Sequence, residues 1–311
     1  MGFNLIDPGV ADILDLASAS LRTLRELDLL GSLVGEVPIR AFNALTHLEI
    51  CVTVGTQLRG LELVFHHAVC LESLVLAGAI DFNVYAILQA GSSALPRLVS
   101  FHLSSLVIGG GTGVEYMAIS DFIRERFSLQ RLSLHLSSPW SEVRTILPIL
   151  RDLPALRTLG LCTGFHLPND AILELASYLP LTIHLLHLDI DWNDRIMDVR
   201  TLAPLVNVQL LFLLRSILNA SFFTIQLEVL ASMPSLWFLK LDGIHEHFPL
   251  PPEDLARDLK HLEIFGWSER FWDVFRVESE MTLTPWPFLK ARFRMKEDLG
   301  GDDGDWLLKY S

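Results

Sequence analysis

The stretch Leu156-Arg157-Thr158-Leu159-Gly160-Leu161 decides the fold that the sequence predicts. Leu159 and Leu161 are two residues apart, so in a β-strand both side chains lie on one face. Leu156 comes three residues earlier and enters the same core from the turn before the strand. A single hexamer of this kind is weak evidence. Its recurrence along the chain indicates a repeat architecture, because self-similarity at a fixed period marks proteins built from stacked units.

Further hexamers share this order of an apolar residue, two others, an apolar residue, a variable residue and a final apolar residue. They begin at Leu24, Leu45, Leu71, Leu98, Leu129, Leu185, Leu205, Leu236, Leu259 and Phe288. Their central apolar residues run from Leu27 to Ala291, which is ten steps over 264 residues, about 26 residues per step. This spacing is typical of leucine-rich repeats, whose period is ~20–29 residues.

Helical patterns fill several intervals between the hexamers, at residues 114–127, 142–153, 170–179, 222–233 and 252–259. The alternation predicts an α/β leucine-rich-repeat solenoid, a horseshoe with parallel strands on its concave face and helices on its convex face, made of about eleven irregular repeats. We divide the chain into an N-terminal capping helix at 1–23, the solenoid at 24–296 and an acidic C-terminal tail at 297–311.

Composition restricts the classes of partner and compartment. The net charge is −13 at pH 7, which disfavours nucleic acid as a partner because phosphate binding needs clustered Lys and Arg. Charge or Pro breaks every apolar run before the ~18 residues that a membrane span needs. Three cysteines are too few for a disulfide framework, and no signal peptide is evident. We expect an intracellular protein, cytoplasmic or nuclear, that does not bind membranes and is a monomer.

The residues between the strand leucines are expected to point into the concave face. They are mixed polar and small residues, which is typical of a surface that binds a protein partner. A solvated face that binds nothing is the alternative. The predicted partner surface comprises His102, Ser133, His135, Thr158, Gly160, Asp189, Asp191, Gln209, Lys240 and Asp242.

Chemistry-bearing residues do not form a catalytic pattern in the sequence. Asp189 and Asp191 share one strand face, and paired carboxylates can perform acid–base catalysis or bind a cation. No nucleophile or proton-transfer partner is fixed near them by sequence, so a solvated acidic rim is the simpler interpretation. The His and Cys spacings match no zinc motif. We therefore expect a protein that is not an enzyme, with no catalytic residues, no cofactor and no metal.

A basic stripe of Lys290, Arg292, Arg294 and Lys296 alternates with apolar residues near the C-terminal end of the sequence. In a strand all four charges would project from one face. The stripe could bind an acidic partner. Alternatively, it protects a terminal strand, since Lys and Arg discourage edge-to-edge aggregation of sheets.

Two phrases, Leu153-Pro-Ala-Leu-Arg-Thr-Leu159 and Met233-Pro-Ser-Leu-Trp-Phe-Leu239, end a helix in Leu-Pro or Met-Pro before a strand. In this, residues from about 20 to 295 resemble the leucine-rich-repeat region of fungal F-box-type proteins, the substrate receptors of cullin ubiquitin ligases. The resemblance implies protein–protein recognition that selects ubiquitination targets. The alternative is a stand-alone inhibitor or scaffold similar to the ribonuclease-inhibitor type.

The adaptor-binding module of that family is the point of departure. An F-box is helical, typically opens with Leu-Pro-x-Glu and binds the Skp1 adaptor. Only about 23 residues precede the first hexamer, and they lack that signature. The sequence is then a fragment, a truncated relative, or a protein that never docks on a ligase. Skp1 and cullin are expected partners only if an F-box is supplied elsewhere.

Overall fold

The fold is taken from a computed structural model, in which the chain divides into two compact units, Met1–Leu156 (unit 1) and Arg157–Ser311 (unit 2). The structure describes residues 4–5, 26–30, 42–52, 58–78, 82–105, 114–135, 139–166, 171–191, 207–214, 230–231, 233–242, 252–267, 270–277, 280–292, 299 and 301–309. Parallel strands and helices occur in both units, which confirms the predicted mixed α/β class.

Unit 1 contains a parallel sheet whose strands follow one another in chain order. The strands are β1 (Asn4–Leu5), β2 (Glu26–Leu30), β3 (His47–Val52), β4 (Ser73–Gly78), β5 (Ser100–Ser105) and β6 (Arg131–His135). The register places the central residues of the first five hexamers side by side: Leu27, Leu48, Leu74, Phe101 and Leu132. The sequence therefore predicted both the strands and their alignment in this part of the chain.

The helices of unit 1 are α1 (Leu58–His67), α2 (Phe82–Ala90), α3 (Val114–Ile123), α4 (Trp140–Val143) and α5 (Leu147–Arg151). Helix α3 packs on the sheet face that carries the hexamer leucines, here called the leucine face. Its Phe122 ring lies 5.0 Å from the ring of Phe101 on β5 and 5.6 Å from that of Phe65 on α1. The predicted helix at 142–153 is two short helices, because Pro148 near the start of α5 cannot continue the helix before it.

Unit 2 begins as a parallel sheet and ends in an antiparallel hairpin. Its strands are β7 (Thr158–His166), β8 (Leu185–Asp191), β9 (Leu210–Leu214), β10 (Phe238–Asp242), β11 (Ile264–Trp267), β12 (Arg270–Val277) and β13 (Glu280–Pro285). Strands β7 to β11 pair in parallel, whereas β12 and β13 pair antiparallel. Its helices are α6 (Ala171–Tyr178), α7 (Pro252–Asp258), α8 (Phe288–Arg292) and α9 (Asp302–Lys309).

Each unit carries an arginine whose side chain bonds backbone carbonyls near a helix end. Arg126 is buried after α3 and donates to the carbonyls of Phe122 and Leu95 at 2.6 and 2.9 Å. Burial lowers the pKa of Arg126 to about 10, so the guanidinium stays charged at neutral pH. Arg276 on β12 donates to the carbonyls of Ala256 and Leu259, both at 2.7 Å, at the end of α7. These charged hydrogen bonds join helix ends to neighbouring segments.

Two expectations about helices fall on residues without a full description. Of the N-terminal capping helix at 1–23, the structure describes only Asn4–Leu5, and these form strand β1 beside β2. The predicted helix at 222–233 lies mostly outside the described residues. In the acidic tail predicted at 297–311, residues Asp302–Lys309 form helix α9.

Candidate functional site

The candidate site is the sheet face opposite the leucine face, here called the second face, because the predicted partner surface lies on it. In unit 1 this face is small and polar in the middle of the sheet. Ser133 on β6 is 0% exposed, and Ser100 and His102 on β5 are also buried. Larger side chains of β6 lie across β5: Arg131 Nη1 donates to Ser100 Oγ at 3.4 Å, and the His135 ring lies 5.3 Å from that of His102.

At four of its positions the predicted partner surface is not open to solvent. His102, Ser133, Thr158 and Gly160 are buried. Strands spaced ~4.8 Å apart bring neighbouring side chains into contact, so His102 lies against His135 in unit 1, and Thr158 lies beside the buried Leu185 in unit 2. Of the other predicted positions, His135 and Lys240 are half-buried and Gln209 is exposed.

The predicted register is also wrong in part of unit 2. Gly160 on β7 pairs with His187 on β8, and Asp189 pairs with Cys162, one position further along the same face. Two frames fit the sequence here, because Leu185-x-x-Leu188-x-Ile190 and Ile183-x-x-Leu186-x-Leu188 both follow the hexamer pattern. Asp191 pairs with His166 beyond a register shift. The structure describes only the backbone of Asp189 and Asp191.

Two further hexamers are shifted by three residues. Phe212 rather than Gln209 stands opposite His187, and Gly266 rather than Glu263 stands opposite Lys240. Gln209 precedes β9, where its N–H donates to the carbonyl of His184 at 2.7 Å. The position of Lys240 was predicted correctly. Asp242 pairs with Leu214 at the end of β10, where only its backbone is described.

In unit 2 one row of the second face is largely apolar. Leu185, Phe238 and Ile264 occupy the row of strand positions that starts at Thr158, and Phe271 on β12 lies next to Gly266. All four belong to one buried cluster with residues that follow the sheet in sequence, here called the C-terminal cover: Trp286, Leu299, Trp306, Leu307 and Leu308. The sheet face predicted to receive a partner is thus covered here by the chain itself.

Gly266 provides the room for this packing. A Cβ atom at Gly266 would lie 2.8 Å from Cε1 of Phe271 and 3.0 Å from Cγ of Lys240, closer than ordinary contacts. Phe271 in turn stacks on Trp286, with ring centroids 5.1 Å apart. The indole N–H of Trp286 donates to Oδ1 of Asp273 at 2.7 Å. The missing side chain on β11 therefore lets the first part of the C-terminal cover reach the sheet.

Helix α9 contributes the charged contact of the cover. Asp303 is buried, and its Oδ2 lies 3.3 Å from Nη2 of Arg157 and 3.9 Å from Nε2 of His184. Arg157 and His184 stand immediately before β7 and β8. The pattern Asp302-Asp-Gly-Asp-Trp-Leu-Leu-Lys309 was read in the sequence only as an acidic tail. Trp306 and Leu307 stand three and four residues after Asp303, and this helical spacing was the signal for a helix that buries one face.

The described part of the basic stripe, Lys290 and Arg292, does not lie on a strand. Phe288–Arg292 is helix α8, so Lys290 and Arg292 do not alternate along a sheet edge, and Arg294 and Lys296 lie outside the described residues. Proline explains the error: β13 ends at Pro285, and Pro287 accepts the N–H of Ala291 at 3.0 Å as the helix begins. Lys290 instead contacts Asp273 at 3.2 Å and the face of Trp286 at 4.1 Å. Lys290 and Arg292 therefore do not protect a strand edge, and binding of an acidic partner by the stripe stays a prediction.

Large exposed apolar side chains are concentrated at the hairpin and α8. Four of the nine found among the described residues lie within fifteen residues of chain: Phe275, Val277, Phe288 and Leu289. Phe275 and Val277 are two apart on β12 and therefore share one face of the strand. Their cross-strand neighbours Thr282 and Glu280 are exposed as well. This part of unit 2 offers apolar surface to a partner.

Among the described residues, no three His, Cys, Asp or Glu side chains are grouped as metal ligands would be. The helices that the structure describes include none that is both long and apolar enough to cross a bilayer. The sequence matches no protein-family model and no curated protein. The geometry of the sheet faces is therefore the basis for assigning a function.

Proposed function

We propose that the chain is a non-enzymatic recognition domain that binds another protein. In finer form, the proposal is a leucine-rich-repeat horseshoe of about eleven irregular repeats. Its support is the parallel pairing of consecutive strands within each unit, with hexamer leucines aligned from strand to strand. Repeat proteins use such stacking to present extended binding surfaces.

The exposed apolar group Phe275, Val277, Phe288 and Leu289 carries the proposal. Phe275 is 53% exposed and Val277 is 72% exposed, whereas Val274 on the same strand is buried. Phe275 and Val277 share one face of a strand, and Phe288 and Leu289 are adjacent in α8. Exposed apolar side chains grouped in this way mark interaction sites more often than isolated ones do. Burial against a partner would stabilise the complex by roughly 25 cal/mol per Å² of apolar surface removed from water.

The hairpin adds a second means of contact. Strand β13 pairs with β12 on one side and is the last strand of the sheet in the part of the chain that is described. An edge strand can accept an extended segment of a partner through main-chain hydrogen bonds. Met281 and Leu283 on β13 are only partly buried. We therefore place the partner contact at β12, β13 and α8.

The resemblance to the repeat region of F-box-type proteins supports one particular form of this function, the selection of ubiquitination targets. In that form the recognition domain holds a substrate while Skp1 and cullin are recruited through an F-box supplied elsewhere. The stand-alone inhibitor or scaffold uses the same surface but holds a single partner. The two differ in which proteins accompany the partner.

Site-specific photo-cross-linking tests the proposal. A benzophenone amino acid replaces Phe275 or Val277 in the full chain, and the same group replaces Leu181 as a matched control. Leu181 is 86% exposed and lies in the same unit, so it is equally accessible to a partner that collides at random. We expect irradiation of cells to give one discrete adduct from Phe275 and Val277, identified by mass spectrometry, and none from Leu181.

The variant Phe275→Glu should remove that adduct from a cross-linker at Val277 while leaving the circular dichroism of the chain unchanged, because Phe275 makes little contribution to the core. Skp1 and cullin in the same complex would support the ligase receptor, and a single stoichiometric partner would support the inhibitor. Equal adducts at Phe275 and Leu181, or none at either, would contradict a recognition surface on the hairpin.

A further inference from the structure

Helix α9 lies on the second face of the unit 2 sheet, at the ends of β7 and β8 where these strands begin. The residues that receive it are here called the helix seat: Arg157, His184, Leu185, Phe238 and Ile264. The seat combines two side chains able to carry positive charge with three apolar ones. It therefore has distinct ends for a carboxylate and for apolar side chains.

The polar end of the seat recognises one carboxylate among the three acidic residues of α9. Asp303 is buried and reaches both Arg157 and His184, whereas Asp302 and Asp305 are exposed. Gly304 follows Asp303 and comes so close to Leu299 that a Cβ atom would overlap the Leu299 carbonyl oxygen. The close approach fixes the start of α9 and with it the position of Asp303.

The apolar end takes three consecutive residues, Trp306, Leu307 and Leu308, at positions three to five after Asp303. All three are buried in the cluster with Leu185, Phe238 and Ile264. The seat thus selects a helix with the pattern Asp-x-x-Trp-Leu-Leu, a short motif that combines charge and apolar surface. Helices of this amphipathic kind commonly bind in apolar grooves of other proteins.

The polar partners of Asp303 remain reachable from solvent while α9 is bound. The side chains of Arg157 and His184 are 42% and 30% exposed, against 12% for Asp303. An incoming carboxylate can therefore contact the seat before α9 has left it. The resident helix competes as part of the same chain, which gives it an advantage in effective concentration over a helix from another molecule.

We propose that the helix seat is a receptor for an acidic amphipathic helix of a partner protein, with α9 as its resident occupant. The inference rests on the proposed function, because a helix receptor is one form of protein recognition. It uses residues separate from the exposed apolar group at Phe275. The partner helix carries a buried carboxylate followed, after two residues, by aromatic and aliphatic side chains.

A peptide titration on the full chain tests this. The probe is a fluorescein-labelled peptide of residues 297–311, and fluorescence anisotropy reports its binding. In the full-chain variant Asp303→Lys the resident helix is repelled by Arg157, so the seat is open. We expect this variant to bind the probe at least ~10-fold more tightly than the unchanged chain, since the resident helix no longer competes.

The matched control is the full-chain variant Asp305→Lys, which makes the same charge reversal on the exposed side of α9 and should bind like the unchanged chain. A probe that itself carries Asp303→Lys should bind none of the three proteins. Equal affinity of all three for the unmodified probe, or no binding, would overturn the proposal. A doubled molar mass in light scattering would also overturn it, because α9 of a second copy would then occupy the seat.

Hydrogen exchange of the unchanged chain gives an independent result if Asp303→Lys fails to fold. We expect the amides of residues 302–309 to exchange faster than those of β8 and β10, because α9 opens while the sheet stays intact. Exchange of α9 only with global unfolding would make it a fixed part of the core and overturn the proposal. A failed titration leaves the cross-linking at Phe275 unaffected, so the two proposals fail separately.

Discussion

The two units differ in the side chains that lie on the second face of their sheets and in what covers them. In unit 1 this face carries Ser100, His102 and Ser133, and it is shielded by the polar side chains Arg131 and His135. In unit 2 the hexamer position of Ser100 is held by Leu185, Phe238 and Ile264, which pack under helix α9 and the rest of the C-terminal cover. The position of His102 and Ser133 is held there by Gly160, His187, Phe212, Lys240 and Gly266. The leucine faces of the two units follow the same hexamer pattern.

This difference shows that the hexamer specifies one face only. The leucines define the core beneath the sheet, while the residues between them decide whether the other face needs a cover. Apolar side chains there would be exposed to water, so a helix of the same chain packs on them and buries them. Small polar residues need no such helix, because neighbouring side chains of the same sheet are enough to cover them. Two units that share one repeat pattern can therefore differ in the surface that their second face offers to a partner.

The largest expected effect comes from Phe238→Ala in unit 2. Phe238 is fully buried between the sheet and the C-terminal cover, so its loss leaves a cavity and should lower the free energy of unfolding by about 3–5 kcal/mol. The matched change in unit 1, Ser100→Ala, removes one hydroxyl and should cost about 1 kcal/mol. Urea titration followed by circular dichroism measures both. Similar costs for the two variants would contradict the contrast between the faces.

An intermediate effect is expected from Arg126→Met, which tests a feature that the units share. The apolar stem is kept, but the carbonyls of Phe122 and Leu95 lose their charged donor in a buried site. We expect a loss of about 3 kcal/mol in the free energy of unfolding. Arg124→Met is the control: Arg124 is exposed, and among the described residues its side chain pairs with Asp121, so its loss should cost ~0–1 kcal/mol.

A melting curve for each variant provides the check. Equal melting temperatures for the Arg126 and Arg124 variants would show that the buried guanidinium contributes nothing beyond a surface charge.

The smallest effect, and one of opposite sign, is expected from Ser133→Ala in unit 1 and Thr158→Val in unit 2. Both side chains are 0% exposed, and within the described chain neither hydroxyl has a hydrogen-bond partner. Removing a buried hydroxyl without a partner should raise the free energy of unfolding by about 1 kcal/mol. Differential scanning calorimetry measures the gain. A fall in the free energy of unfolding would contradict this prediction, because it would mean that each hydroxyl makes a stabilising hydrogen bond.

The hexamer leucines were enough to predict the strands of unit 1 and their alignment, because each pattern from Leu24 to Leu129 allows a single frame. Prediction failed where apolar residues run together. Leu210-Leu-Phe-Leu-Leu214 has no period that distinguishes one frame from another, and Ile264-Phe265 moved the frame at β11 by three residues. Long-range pairing with β8 and β10 decides those registers.

The candidate site could be predicted only in part for a different reason. The alternation of a strand gives the face on which Ser133 or Lys240 lies, and that part was correct. Whether the face is open depends on residues distant in sequence, such as Trp306 over Leu185. The hydrogen-bonding positions of Arg157 and His184 at the strand ends had no counterpart in the repeat pattern. Their role depends on where α9 packs against the sheet, which only the tertiary fold determines.

Intramolecular photo-cross-linking from position 306 tests the central claim most directly. A benzophenone amino acid replaces Trp306 in the full chain, and the irradiated protein is digested and sequenced by mass spectrometry. The account predicts a linkage from position 306 to peptides of β8 or β10, which contain Leu185 and Phe238. Linkage confined to residues near 306 in sequence, with none to the sheet, would show that the second face of unit 2 is not covered by α9.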